Sequence, residues 1–132
     1  MFYYAHSGVR YLVLLAGVLA LGYAIYGMAG RRPYDRTMYT LSRVFMMLTH
    51  LQILLGVALL FTRPFSSQLI GHLMPMVFAA AAATVVPSVM RRRAPDARSY
   101  APHVIATVIA LALMVLGIMA IGRSPLGMTT AG

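Results

Sequence analysis

The sequence predicts an all-α integral membrane protein, a four-helix up-down-up-down bundle with both termini on the outer (periplasmic) side. Three observations predict it. Of the 132 residues, 61% are hydrophobic and only 10% are charged, whereas a soluble domain usually carries charge on about a quarter of its residues. The chain is broken into four uncharged runs, each near the ~20 residues that a helix needs to cross a ~30 Å hydrocarbon layer. The eleven arginines gather where these runs stop, most of them in alternate connections.

The elements follow in order, within a single transmembrane domain spanning 1–132. The first run, Tyr11 to Gly30, lies between Arg10 and Arg31, and the Met-Phe-Tyr-Tyr-Ala-His start lacks the basic segment of a cleavable signal peptide. It is read as a permanent helix over about 4–29. Val44 to Thr62, between Arg43 and Arg63, gives a second helix over about 38–62. Pro64 to Met90, ending at Arg91-Arg92-Arg93, gives a third over about 66–90. This helix contains Pro75 and Pro87, which free backbone carbonyls and favour a kink, and the Ala79–Ala83 run, which permits close approach by another helix or a flat ligand. Ser99 to Gly122, between Arg98 and Arg123, gives a fourth over about 100–122. None of the runs has the dyad alternation of a barrel strand, so helices are the spanning form.

Orientation comes from the connections. The first holds Arg31, Arg32 and Arg36, and the third holds Arg91, Arg92, Arg93 and Arg98. The second has only Arg63, the N-terminal segment Arg10, and the tail Arg123. Short arginine-rich loops stay in the cytoplasm, which places the termini outside. Short loops also make neighbouring helices antiparallel. The two rich loops share a grammar, Arg-Arg-Pro-Tyr-Asp-Arg-Thr at 31–37 and Arg-Arg-Ala-Pro-Asp-Ala-Arg-Ser at 92–99, in which proline stops one helix and Asp or Ser/Thr can cap the next. Tyr3, Tyr4, Tyr34, Tyr39 and Tyr100 lie at the helix ends and fit an aromatic belt.

Several functions are excluded or disfavoured. A formal charge of +9 raises nucleic acid as a partner, but arginines placed at the ends of apolar runs are the signature of loops and anionic headgroups, so membrane lipids are expected and nucleic acid is not. The absence of cysteine removes disulfides, iron–sulfur clusters and thiol catalysis. Asp35 and Asp96, the only carboxylates, both lie in loops, and no hydrolase motif is present. The eleven methionines are scattered and read as flexible packing rather than a copper site.

Four histidines remain, one per helix: His6, His50, His72 and His103. Ionisable groups in a bilayer are costly and usually face the bundle interior. Neutral imidazole ligates haem iron, and it also serves simply to hydrogen-bond a neighbouring helix. At ~1.5 Å of rise per residue, His6 and His72 fall at similar heights near the outer end, while His50 lies deeper and His103 stands at the cytoplasmic start of its helix. Two axial ligands of one haem b must match in depth, and His6 with His72 does so best. Arg10, four residues after His6 and on its helix face, is placed to pair with a propionate, or else reaches out to lipid phosphate. His50 and Gln52 put two polar groups in mid-membrane, as a quinone contact, a proton relay, an alternative haem ligand or helix packing.

At these residues the chain resembles small four-helix bacterial membrane proteins described as cytochrome-b-like. The resemblance rests on His6-Ser7-Gly8-Val9-Arg10-Tyr11-Leu12-Val13-Leu14, on His50-Leu51-Gln52-Ile53-Leu54-Leu55-Gly56, and on Gly71-His72. It implies a multi-pass protein of the bacterial inner membrane that carries electrons, with His6 and His72 as the functional positions. Two departures stand out. Gly71 replaces an acidic residue, and Thr84-Val85-Val86-Pro87 stands where that group has a further histidine. A chain without that histidine also suits a cofactor-free accessory subunit of a larger respiratory or photosynthetic complex.

Overall fold

The computed structural model describes the backbone of residues 2–61 and 67–119, with side chains from 6–61 and 71–119. Four helices fill it: α1 (Phe2–Ala29), α2 (Arg36–Leu60), α3 (Ser67–Arg92) and α4 (Ala101–Met119), with a 3₁₀ turn at Pro95–Ala97 before α4. Each of the four is long and apolar enough to cross a membrane. The expected ranges 4–29, 38–62 and 66–90 overlap α1, α2 and α3, and residues 62 and 66 lie outside the described residues. Arg63, Arg123 and the final turn expected for α4 lie outside the described residues.

Each helix buries one stripe. On α2 it is Met38, Ser42, Phe45 and Thr49, and on α4 it is His103, Thr107, Ala110 and Met114, both with the alternating four- and three-residue steps of a packed helix face. α1 and α2, α2 and α3, α3 and α4, and α4 and α1 are the packed pairs. One core gathers Val13, Ala16, Phe45, Ala79, Ala83, Ala110 and Met114, and a second gathers Ala20, Ala24, Met38 and Tyr100. Lipid removes the usual hydrophobic drive between helices, so small residues that let backbones approach decide the packing. Gly17 is one such case, since a Cβ there would stand 2.6 Å from Leu111 Cδ2 and 2.9 Å from Phe45 Cε1.

The alanine run is packing: Ala79 and Ala83 point into the core, whereas Ala81 is exposed. α3 stays one helix through Pro75 and Pro87. Near Pro87 the Thr84 and Ser88 hydroxyls donate to the carbonyls of Ala80 and Thr84, at 2.6 and 2.7 Å, so neither presents a bare polar group to lipid.

The two arginine loops lead into their next helices differently despite similar sequences. Asp35 caps α2 from an extended backbone, its Oδ1 accepting from the Met38 N–H at 3.0 Å. Asp96 sits exposed in the 3₁₀ turn.

Candidate functional site

One end of the bundle gathers His6, His72, Gln52, Gly56 and Gly117. The imidazoles of His6 on α1 and His72 on α3 meet with ring centroids 6.3 Å apart and planes at 84°. His72 Nδ1 lies 2.8 Å from the carbonyl oxygen of Gly117. A carbonyl only accepts, so Nδ1 carries the hydrogen and Nε2 keeps its lone pair. That is the usual state of a ligating histidine, whose second nitrogen is held by a backbone or carboxylate oxygen. His6 packs against α2 at Gly56, where a Cβ would stand 3.3 Å from the imidazole Cε1.

The donor set can be tested against a haem. Two imidazoles on opposite sides of one metal, with bonds of about 2 Å and a ring radius of roughly 1.1 Å, have centroids a little over 6 Å apart. The observed 6.3 Å is met by that spacing and by a direct edge-to-face ring contact alike. Among the described residues no group of three or more His, Asp or Glu gathers as for a bare ion. The two imidazoles are a pair of nitrogen donors brought together from α1 and α3. Glycine on α2 and on α4, at Gly56 and Gly117, keeps the flanks narrow at this level.

Arg10 lies one turn from His6 and is only 7% exposed. Its guanidinium donates to the Tyr11 hydroxyl at 2.7 Å and sits 4.6 Å from that ring's centroid. It is folded into the bundle rather than extended to lipid phosphate. Gln52 and His50, two residues apart, face opposite ways, because positions i and i+2 of a helix do not share a face. Gln52 turns inward and donates its amide to the His6 carbonyl at 2.7 Å, while its buried Oε1 has no hydrogen-bond partner among the described residues. His50 is exposed on the bundle's flank, 2.7 Å from Thr84 Oγ1. The Thr84 hydrogen already goes to Ala80, so the His50 Nε2–H donates to Thr84. His50 and Gln52 thus do not form one site.

The opposite end holds a cluster that sequence reasoning missed. His103 stands at the start of α4 as expected, yet it is 1% exposed. Tyr34 covers it, stacked at 5.5 Å and hydrogen-bonded to Nε2 at 2.7 Å. Tyr34 also packs on Tyr100, whose hydroxyl donates to the Pro33 carbonyl at 2.9 Å. Tyr34 and Tyr100 therefore close the bundle end, and each finds an internal hydrogen-bond partner. The side chains of Tyr3 and Tyr4 lie outside the described residues.

Tyr23 donates to Asp35 Oδ2 in the same cluster. Burial pushes the Tyr34 phenol up to about 12 and raises that of Tyr100 as well. Burial acts to raise Asp35 too, but bonds from Tyr23 and the Met38 N–H, with Arg32 nearby, hold its carboxyl below the ordinary value. A signal was present in the sequence: His103 and Thr107, four residues apart, are polar residues at helical spacing inside an apolar run.

Comparison with models of known protein families, with curated proteins and with solved structures finds no match to this chain.

Proposed function

We propose that this chain is an electron-transfer subunit of a bacterial inner membrane, holding one b-type haem near the outer face between His6 and His72. The observation that carries this reading is the histidine pair itself, 6.3 Å apart by centroid, with His72 Nδ1 tied to Gly117. When bound, such a group supplies a one-electron carrier. The chain's own residues do the rest. The Gly117 carbonyl orients the His72 ring and leaves Nε2 as the nitrogen that would ligate. Buried Arg10 offers positive charge one turn from His6, suited to a propionate. Gln52 Oε1 is an acceptor that a quinol hydroxyl would satisfy, making Gln52 rather than His50 the quinone contact.

The bundle is up-down-up-down, with both termini outside. Support comes from the meeting of His6 with His72 at one end and of Tyr34 with Tyr100 and His103 at the other. The excess of arginine in the two loops at the latter end then gives the sidedness.

Purified from haem-replete cells, the protein is expected to show a reduced α-band that disappears in both His6→Ala and His72→Ala and survives in His50→Ala. Wild-type protein without Soret absorbance under those conditions would overturn the reading. A second reading, a cofactor-free accessory subunit of a larger respiratory or photosynthetic complex, is favoured by one observation. His50 is an exposed polar side chain on the flank of an apolar bundle, where a neighbouring subunit would cover it. Co-purification with a larger assembly whose haem spectrum is unchanged by deletion of this chain would favour it.

A further inference from the structure

Between the two arginine loops lies an open cleft of about 420 Å³. Arg31 and Arg32 line it from the first loop and Arg98 from the second, against one carboxylate, Asp96. A guanidinium has five N–H donors. Arg32 gives one to the Tyr26 hydroxyl and lies over that ring, and Arg98 directs two at the carbonyls of Arg93 and Arg91. These contacts orient both groups and leave donors for an anion.

The backbone adds an independent observation. α1 ends in a Schellman turn, with Arg32 N–H donating to the Gly27 carbonyl at 3.0 Å and Arg31 N–H to Met28 at 3.2 Å. The donor of the inner bond must take a left-handed conformation, and glycine is the default there. Here it is Arg31, at φ 51°, although Gly30 stands one position earlier. A strained arginine where glycine would fit better is explained if its side chain has work in the cleft.

The cleft also opens onto apolar surface. Met28 and Ala101 line it, and Ile25 and Ile105, one turn farther along α1 and α4, are both exposed. From this we infer that the cleft binds the phosphodiester of an anionic phospholipid, gripped by Arg31, Arg32 and Arg98, with the acyl chains lying along the α1–α4 face. Charge-assisted bonds from arginine to phosphate supply the specificity, and the apolar face distinguishes a lipid from free phosphate.

The test uses the full chain in neutral detergent and native mass spectrometry with phosphatidylglycerol, phosphatidylcholine or inorganic phosphate. One phosphatidylglycerol is expected to be retained in preference to phosphatidylcholine. Loss of one diffuse surface charge weakens attraction about fivefold, so Arg98→Gln and Arg31→Gly should each exceed that loss. Arg36→Gln and Arg92→Gln, outside the cleft, should not. Arg31→Gly relieves the backbone, so it should keep or raise the melting temperature while losing lipid, which separates binding from folding. Equal retention of both lipids, equal losses in all four variants, or displacement of lipid by inorganic phosphate at equal concentration would each overturn the assignment.

Discussion

At the scale of single residues, Asp35 joins two tasks. One oxygen caps α2 and the other accepts from Tyr23 on α1, so a single carboxylate ties a helix start to its neighbour. Asp35→Ala should cost about 1 kcal/mol, the usual value of an N-cap. The pH dependence follows from linkage. The folded carboxyl lies below the ordinary 3.8, so its contribution is complete above that value and fades as pH falls through the lower folded one. Thermal unfolding of the wild type in detergent should therefore lose stability below about pH 4, and Asp35→Asn should flatten that loss. An unchanged acid profile in the variant would show that the carboxylate contributes nothing. Arg31 pulls the other way, since relief of a left-handed non-glycine residue is worth about 1 kcal/mol, and Arg31→Gly should be the more stable protein.

At the scale of elements, glycines mark where helices touch. A Cβ on Gly27 would lie 2.5 Å from the Tyr100 ring, and one on Gly17 would press on Phe45 and Leu111, while Gly22 has nothing within 4 Å. Gly27→Ala and Gly17→Ala should each destabilise by about 1–3 kcal/mol through overpacking. Gly22→Ala should be neutral or stabilising by up to ~1 kcal/mol, the helix preference of alanine over glycine. Melting temperatures of the three variants check this. Equal behaviour at all three positions would mean that the close approaches are not what holds the helices. None of this contrast is legible in the sequence, because all three glycines sit in the same apolar run.

At the scale of the whole molecule, the protein has two chemically distinct ends. One brings two histidines, a buried arginine and a glutamine together, and the other brings tyrosines, His103 and the arginine cleft together. The proposed sidedness can be read directly, since the chain has no cysteine of its own. Single cysteines at Thr37 and Ala94, one in each arginine loop region, should resist an impermeant maleimide added to intact cells and react after the membrane is opened. Labelling of either in intact cells would invert or break the assigned topology.

The sequence alone determined the four helices and the charge of their connections, because length and the cost of charge in hydrocarbon are read residue by residue. It also placed His6 and His72 at matching heights, since rise per residue is fixed. It did not determine how each helix is turned about its axis. In lipid both faces of a helix are apolar, so the hydrophobic pattern carries little information about which side is buried. Rotation decided that Gln52 points inward and His50 outward, that Arg10 folds into the bundle, and that Tyr34 seals His103. Only packing, through close contacts at Gly17, Gly27 and Gly56, fixes those rotations, and with them which polar groups can act together.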